Sequence, residues 1–250
     1  VNINDCIFRG NKSGTATSTG NGTYNGGAIK LDHGSNVTLK NSLFYDNKSY
    51  GKGAALANFN YGDVEIINCT FTDNTSYHGS GGAIYGESNS DFVIRNSIIY
   101  NNYDGAGLDY DIYTGNSSSV DVIWSNNIYR SEYVYDSCST CTTSNPDFKN
   151  VGNDDYTLAD DSPAIDYGSS TYASAVDINQ LYRPQGQADD VGAYESPNTW
   201  DGSSGTDWGT PSNWRDNIVP VSLRSPIIAD VNNQPIISSD DGSSGHVSLK

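Results

Sequence analysis

The sequence is short of positive charge and of long hydrophobic runs. Only 13 Lys and Arg residues stand against 30 Asp and Glu residues in 250, which gives a formal net charge of −17. A nucleic-acid-binding protein needs clustered Lys and Arg to neutralise phosphates, and the few bases here are scattered. No apolar run approaches the ~18 residues of a transmembrane helix. These shortages exclude a nucleic-acid partner and predict no transmembrane segment.

Turn-forming residues make up much of the rest. The chain has no Met, 26 Gly, 18 Tyr and only 35% hydrophobic residues, a mixture that disfavours helices and favours turns. Low apolar content with high net charge is also typical of disorder, but the regular spacing described next favours a folded chain. Neither a leader peptide nor a natural stop is recognisable at the ends, so we expect a piece of a longer protein.

Two sequence blocks recur with nearly the same period. The first block reads VNINDCIFRGN at Val1 and recurs at Val37, Val64 and Phe92, at offsets of 36, 27 and 28 residues, with a weak fifth copy at Val120. The second block reads GGAIKL at Gly26, GAALAN at Gly53 and GGAIYG at Gly81, with a degraded copy at Asp111. Two independent blocks that keep one period indicate a structural repeat.

Alternation within the blocks predicts three short strands per repeat, with no helical period between them. Such a repeat is typical of one coil of a right-handed parallel β-helix. Stacked coils should place Phe8, Phe44 and Phe71 in one inward column. On the third strand the alternation predicts two outward rows, namely Ala28, Ala55, Ala83 and Asp111 in one and Lys30, Ala57, Tyr85 and Tyr113 in the other.

Two sets of residues are predicted to form corners of the coil. An Asn follows the second strand of each repeat, at Asn11, Asn47, Asn74 and Asn102. Asn suits a corner because it tolerates left-handed backbone angles, and its side-chain amide can form hydrogen bonds from coil to coil. An Asn-rich binding stripe is the functional alternative. Glycine supplies backbone freedom at the other corner, at Gly26, Gly27, Gly81 and Gly82.

The four cysteines divide into two pairs. Cys6 and Cys69 occupy the same position two coils apart, ~9.6 Å by strand spacing, which is too far for a disulfide, so both are predicted to be free and buried. Cys138 and Cys141 form a C-x-x-C without a nearby His, which does not suit a zinc site. In an exported protein this pair is predicted to be a local disulfide.

The pattern Cys/Ser-x-Phe-x-x-Asn followed by Gly-Gly-Ala-Ile resembles the repeats of polymorphic outer-membrane-type and other secreted right-handed β-helix proteins. Residues 145–196 resemble the choice-of-anchor Q domain, through Asn-Pro-x-Phe from Asn145, Ser-Pro-Ala-Ile-Asp-x-Gly from Ser162 and Asp-Val-Gly-Ala-Tyr-Glu from Asp190. The two resemblances imply a large bacterial protein that is secreted or held at the cell surface. They imply no defined reaction.

Residues 197–250 change in character. Trp200, Trp208 and Trp214 resemble the Trp-rich junctions of Bacteroidetes-type surface proteins that are exported by the type IX route. Three aromatic rings so close together could form a ligand-binding platform for sugars. The alternative is that they belong to the core of a small β module, because Trp is usually mostly buried.

Candidate chemistry is sparse. A polysaccharide lyase needs a cation and a base on one outward face, and the best cluster is Lys30 and Tyr85, with His33 and His78 in flanking loops; the alternative is a solvated face without catalysis. Paired acids such as Asp154/Asp155 and Asp240/Asp241 point to opposite sides of a strand and make poor glycosidase pairs. They could bind Ca²⁺, although no calcium motif is present, and no other metal or cofactor is expected.

These observations predict an all-β protein with β-helix coils at 1–145, a choice-of-anchor Q-like closing region over the end of the coils at 146–196, and the start of a second β module at 197–250. The predicted function is that of a non-catalytic structural or adhesive protein, secreted or at the bacterial cell surface. Expected partners are further copies of the chain, neighbouring surface proteins or a polysaccharide. A carbohydrate-active enzyme and a sugar-binding module are the alternatives.

Overall fold

The computed structural model is a parallel β-helix built from short strands, as the repeats predict. It describes residues 1–15, 24–87, 89–105, 110–114, 120–130, 132–133, 137–220 and 226–236. In these ranges the only helices are two short 3₁₀ turns, Val151–Asn153 and Pro211–Asn213. None of the described helical segments has the length and hydrophobicity to cross a membrane.

Four parallel sheets run along the coils, with the strands numbered in chain order. Sheet A contains β1 (Asn2–Asn4), β5 (Val37–Lys40), β9 (Asp63–Ile67), β13 (Asp91–Arg95) and β17 (Val122–Ser125). Sheet B contains β2 (Ile7–Arg9), β6 (Leu43–Tyr45), β10 (Thr70–Thr72), β14 (Ile98–Tyr100) and β18 (Ile128–Tyr129). Sheet C contains β3 (Lys12–Ser13), β7 (Lys48–Ser49), β11 (Thr75–Ser76) and β15 (Tyr103–Asp104). Sheet D contains β4 (Ile29–Leu31), β8 (Leu56–Phe59), β12 (Ile84–Glu87), β16 (Ile112–Tyr113) and β19 (Glu132–Tyr133).

The predicted register is confirmed in the core. Phe8 pairs with Phe44, and Phe44 with Phe71, in adjacent strands of sheet B. Their rings stack with centroids 4.6 and 4.5 Å apart and nearly parallel planes. This spacing is the distance between neighbouring strands, so the column follows directly from the repeat.

The Asn residues form a ladder of side-chain hydrogen bonds along sheet C. The Nδ2 of Asn47 donates to Oδ1 of Asn74 at 2.9 Å, and Nδ2 of Asn74 donates to Oδ1 of Asn102 at 2.8 Å. The same amides donate to backbone oxygens of the preceding coil, as from Asn74 to Phe44 at 3.0 Å. The expectation that these Asn residues themselves adopt left-handed angles is wrong. That conformation falls one residue earlier, for example at Asp73, with a φ of 53°.

The alanine row of sheet D does not face outward, contrary to the sequence prediction. Ala55 and Ala83 are fully buried in the main core beside Leu56 and Ile84. Strands β8 and β12 begin only at Leu56 and Ile84, after a corner at which Gly53 has a φ of 61°. Strand alternation therefore does not extend back to the alanines. The other two residues of this predicted outward row also do not face solvent. Ala28 packs on the same core, and Asp111 is buried.

The segment 137–142 lies against the last described coil. Thr142 forms a parallel bridge with Ile128, and Cys138 packs on the main core. Cys138 and Cys141 are joined by a disulfide. Cys6 and Cys69 are free, and burial raises the pKa of the Cys69 thiol to about 12. Cys6 is only half-buried, contrary to expectation, because the adjoining strand β2 lies at the edge of sheet B among the described strands.

Residues 146–196, here called the lateral cover, lie along the side of the coils rather than over their end. Within them β20 (Phe148–Asn150) and β21 (Asp155–Leu158) form a small antiparallel sheet. Tyr156 packs on Tyr45, and Val191 packs on Ile98, so the cover buries the outer face of sheet B. The expectation that this region closes the end of the coils is therefore wrong.

The remaining described residues, 197–220 and 226–236, form a small unit around the three tryptophans. It contains β22 (Thr199–Trp200) and β23 (Ile227–Ile228), which pair in parallel. The rest of the predicted second β module, including Asp240 and Asp241, lies outside the described residues.

Candidate functional site

Lys30 and Tyr85 lie on the outer face of sheet D, as the sequence predicts. Lys30 pairs in register with Ala57, and Ala57 pairs with Tyr85. The phenol packs beside Phe59 and stacks on Tyr113, so that only 2% of Tyr85 is exposed. Tyr85 is thus on the predicted face, but other side chains cover it.

The hydroxyl of Tyr85 is held as a hydrogen-bond donor. It donates to the carboxylate of Glu87, while Nζ of Lys52 donates to the Tyr85 oxygen at 2.5 Å. Burial first, and then the hydrogen bond to Glu87, raise the pKa of Tyr85. A general base must already be deprotonated near the working pH in order to accept a proton. The phenol of Tyr85 stays protonated in this environment.

Lys30 and Tyr85 do not share a contact within the described part of the chain. Lys30 forms an ion pair with Asp32, with Nζ and Oδ2 3.5 Å apart. Of the two predicted flanking histidines, His33 contacts Asp32 at 3.2 Å and is largely exposed, whereas the ring of His78 lies 5.8 Å from that of Tyr50.

An open hollow of about 200 Å³ lies on this face and is here called the sheet D hollow. Its lining combines one aromatic ring with six polar side chains, namely Phe59 with Asn25, Lys30, Asp32, Lys52, Asn60 and Glu87. The lining carries two ammonium groups and two carboxylates, so it presents donors and acceptors with no net charge.

The polar side chains of the hollow hold one another in place. Nδ2 of Asn60 donates to Oδ1 of Asp32 at 2.7 Å, and this hydrogen bond is the main cause that lowers the pKa of Asp32. On the opposite wall, Lys52 and Glu87 form an ion pair of 3.1 Å. Nζ of Lys30 lies 5.7 Å from the ring centroid of Phe59. The hollow is therefore a preformed polar site with an aromatic side.

Part of this lining could have been read from the sequence. Asp32 and Glu87 stand two residues after Lys30 and Tyr85, and residues i and i+2 of a strand share a face. Asn25 and Lys52 lie in loops before the strands, where no periodicity applies. Their place in the hollow depends on how the glycine corner folds.

The three tryptophans lie away from the hollow and pack against one another. Trp200, Trp208 and Trp214 are 0, 4 and 1% exposed. Trp214 meets both of the other rings edge-on, with centroids 5.1 and 4.6 Å away. Their ring faces are occupied by protein contacts, so they serve as a core in this structure and not as an open platform.

A second cluster of charged groups is buried in the lateral cover. Arg183 and Glu195 form an ion pair of 2.8 Å, with both side chains fully buried. Burial raises the pKa of Glu195 to about 7, and burial together with Glu195 raises that of Asp190. Among the described residues, no three His, Cys, Asp or Glu side chains are arranged to hold a metal ion. The predicted pair Asp154/Asp155 is engaged separately, with Arg9 and with Thr157.

Residues 68–87 match the Chlamydia polymorphic membrane protein repeat. The matched segment runs from β10 through β11 to the end of β12, and it contains Asn74, the Gly81–Gly82 corner and Tyr85. No significant match is found among curated proteins or among solved structures. The chain is thus similar to this repeat over one part of one coil.

Proposed function

We propose that the chain is part of a bacterial cell-surface protein, in which the β-helix acts as a rigid structural scaffold and as an adhesive contact surface. The observation that carries the proposal is the repeat itself: its sequence resembles the Chlamydia polymorphic membrane protein repeat at residues 68–87, and its described strands stack in a parallel β-helix.

Two continuous columns support a scaffold role. The stacked Phe rings fill the inside of the coil, and the Asn ladder bonds the corner of each coil to the next. Each coil is therefore stabilised mainly by its neighbours, as in other solenoids. Such a structure presents a stiff surface, which suits an adhesive or spacer protein.

Immunolabelling of intact source cells tests the surface location. An antibody raised against residues 1–250 should label unpermeabilised cells, and brief external protease treatment should remove the signal. A signal that appears only after permeabilisation would overturn the proposal. An antibody against a cytoplasmic protein of the same cells is the control.

The carbohydrate-active enzyme remains the alternative and is tested separately. Purified chain is incubated with acidic polysaccharides with and without Ca²⁺, while its size is measured at rising protein concentration to test self-association. Turnover that disappears in Lys30→Ala or Tyr85→Phe would favour the enzyme. Unchanged polysaccharides together with concentration-dependent assembly would favour the structural role.

A further inference from the structure

We propose that the sheet D hollow binds one neutral, hydroxyl-rich sugar ring of a glycan. This deepens the adhesive role proposed above, because it names the class of ligand that the surface would contact. Its biological meaning rests on that role, but the binding itself depends only on the hollow. The site is distinct from the three tryptophans, whose faces are buried.

The size of the hollow suits a single small unit. Sites for drug-sized ligands commonly enclose ~300–1,000 Å³, whereas this hollow measures about 200 Å³ and is open to solvent. Because the hollow is open and lies on the outer face of sheet D, the rest of a glycan can continue outside it. The geometry therefore favours one ring of a chain over a free, fully enclosed metabolite.

The chemistry of the lining matches a sugar hydroxyl pattern. Lys30 and Lys52 supply donors, and Asp32 and Glu87 supply acceptors, on two sides of the same hollow. Sugar hydroxyls donate and accept, so they can bond to both kinds of group, and bonds to charged partners are the stronger ones. Phe59 is 8% exposed, since it packs beside Tyr85 and Nζ of Lys30 lies 5.7 Å from its ring centroid, so it adds a small apolar edge that a C–H group of the sugar can contact.

Electrostatics favours a neutral sugar over a uronate or a sulfated sugar. Each ammonium group in the hollow already has a carboxylate partner, Asp32 for Lys30 and Glu87 for Lys52. An anionic ligand would have to approach both carboxylates and a chain of net charge −17. A neutral ring meets no such repulsion.

Preorganisation supports binding at this position. Asn60 fixes Asp32, and Tyr85 fixes Glu87, so the acceptors are already oriented before a ligand arrives. Lys30 is held by a longer 3.5 Å ion pair with Asp32 and lies 5.7 Å from the ring centroid of Phe59, and its side chain is 42% exposed. We therefore expect Lys30 to reorient towards the ligand while the other groups stay in place.

The test uses purified protein of residues 1–250 on a printed glycan array that includes neutral and acidic glycans, followed by titration of the best glycan by NMR. We expect retention of neutral glycans, and an affinity that falls about tenfold or more in Lys30→Ala, as for the loss of a charged hydrogen bond. Phe59→Leu, which keeps an apolar side chain but removes the ring, should also weaken binding.

Lys48→Ala is the matched control. Lys48 also pairs with a carboxylate two residues away on its own chain, Asp46, and its side chain is similarly exposed at 37%, but it lies in sheet C. The affinity of the Lys48→Ala variant for the glycan should equal that of the unsubstituted chain. The proposal is overturned if no glycan is retained, if acidic glycans are preferred, or if Lys30→Ala and Lys48→Ala bind alike. None of these results bears on the surface labelling, so the two proposals can fail independently.

Discussion

The coils of residues 1–130 and the lateral cover of residues 146–196 both bury polar side chains, but with different chemistry. In the coils the buried polar column consists mainly of the neutral amides of Asn47, Asn74 and Asn102, and it ends at the carboxylate of Asp111, which accepts from Nδ2 of Asn102 at 3.0 Å. In the cover it consists of charged groups, centred on Arg183 and Glu195. An amide carries both a donor and an acceptor, so identical residues can bond in an endless column. Carboxylates cannot, and they need a cation and backbone N–H groups around them.

The two regions should therefore respond to different substitutions and conditions. A periodic ladder shares its polar groups among similar neighbours, so the loss of one side chain should have a local effect. The buried carboxylate of Glu195 in the cover depends on the guanidinium of Arg183, which donates to Glu195 and to the backbone oxygens of Asp190 and Gly192. The following changes test this comparison.

The largest effect is expected from Arg183→Met. Above pH 7, where Glu195 is ionised, removing its cationic partner leaves an uncompensated buried charge, which costs about 3–5 kcal/mol. Urea unfolding should show this loss, and hydrogen exchange should place it in residues 146–196 while residues 37–105 stay protected. Equal loss of protection in both regions would show that the cover and the coils unfold as one unit.

The pH dependence of the cover is expected to be the next largest effect. The folded pKa of Glu195, about 7, lies above its ordinary value of 4.5, so the folded state binds the proton more tightly than the unfolded state. The stabilisation is complete below pH ~4.5 and is lost as the pH rises through about 7. Hydrogen exchange of residues 146–196 should therefore be slower, after correction for intrinsic rates, at pH 5 than at pH 7.5. A stability that is flat or rises over this range would contradict the assignment.

A smaller effect is expected from Asn74→Ala in the ladder. The change removes the acceptor for the backbone N–H and Nδ2 of Asn47 and the donor to Phe44. Unpaired buried groups of this kind cost about 1–3 kcal/mol. Asn2→Ala, at an exposed position of β1, is the control and should change the free energy of unfolding by less than about 0.5 kcal/mol. Equal effects for both variants would argue against the ladder.

The smallest effect is expected from Arg9→Ala, which breaks the 2.6 Å ion pair between β2 and Asp154 of the cover. Both side chains are more than two-fifths exposed, and pairs of this kind contribute about 0–1 kcal/mol. Thermal unfolding in low and high salt should show a small shift that disappears in salt. A loss as large as that of Arg183→Met would mean that the surface pair, and not the buried one, holds the cover in place.

The candidate site was only partly predictable. The strand period brings Lys30 and Tyr85 to one face, and the same rule applies to Asp32 and Glu87. It could not show that Lys52 crosses from the preceding corner to bond Tyr85. Loop residues have no period, so their contacts depend on the three-dimensional path of the corner.

The repeat in the sequence is enough to predict the coils. Because the period is fixed and apolar residues stand at i and i+2, equivalent residues of successive coils lie next to one another, as Phe8, Phe44 and Phe71 do. The sequence could not reveal sheet C, whose two-residue strands are too short to alternate. It also could not place residues 146–196. These residues have no repeat partner, and their position on sheet B was decided by the shape and polarity of two unrelated surfaces. Only the tertiary structure brings Tyr156 to Tyr45 and Val191 to Ile98, because contacts between non-periodic segments far apart in the chain leave no local pattern in either one.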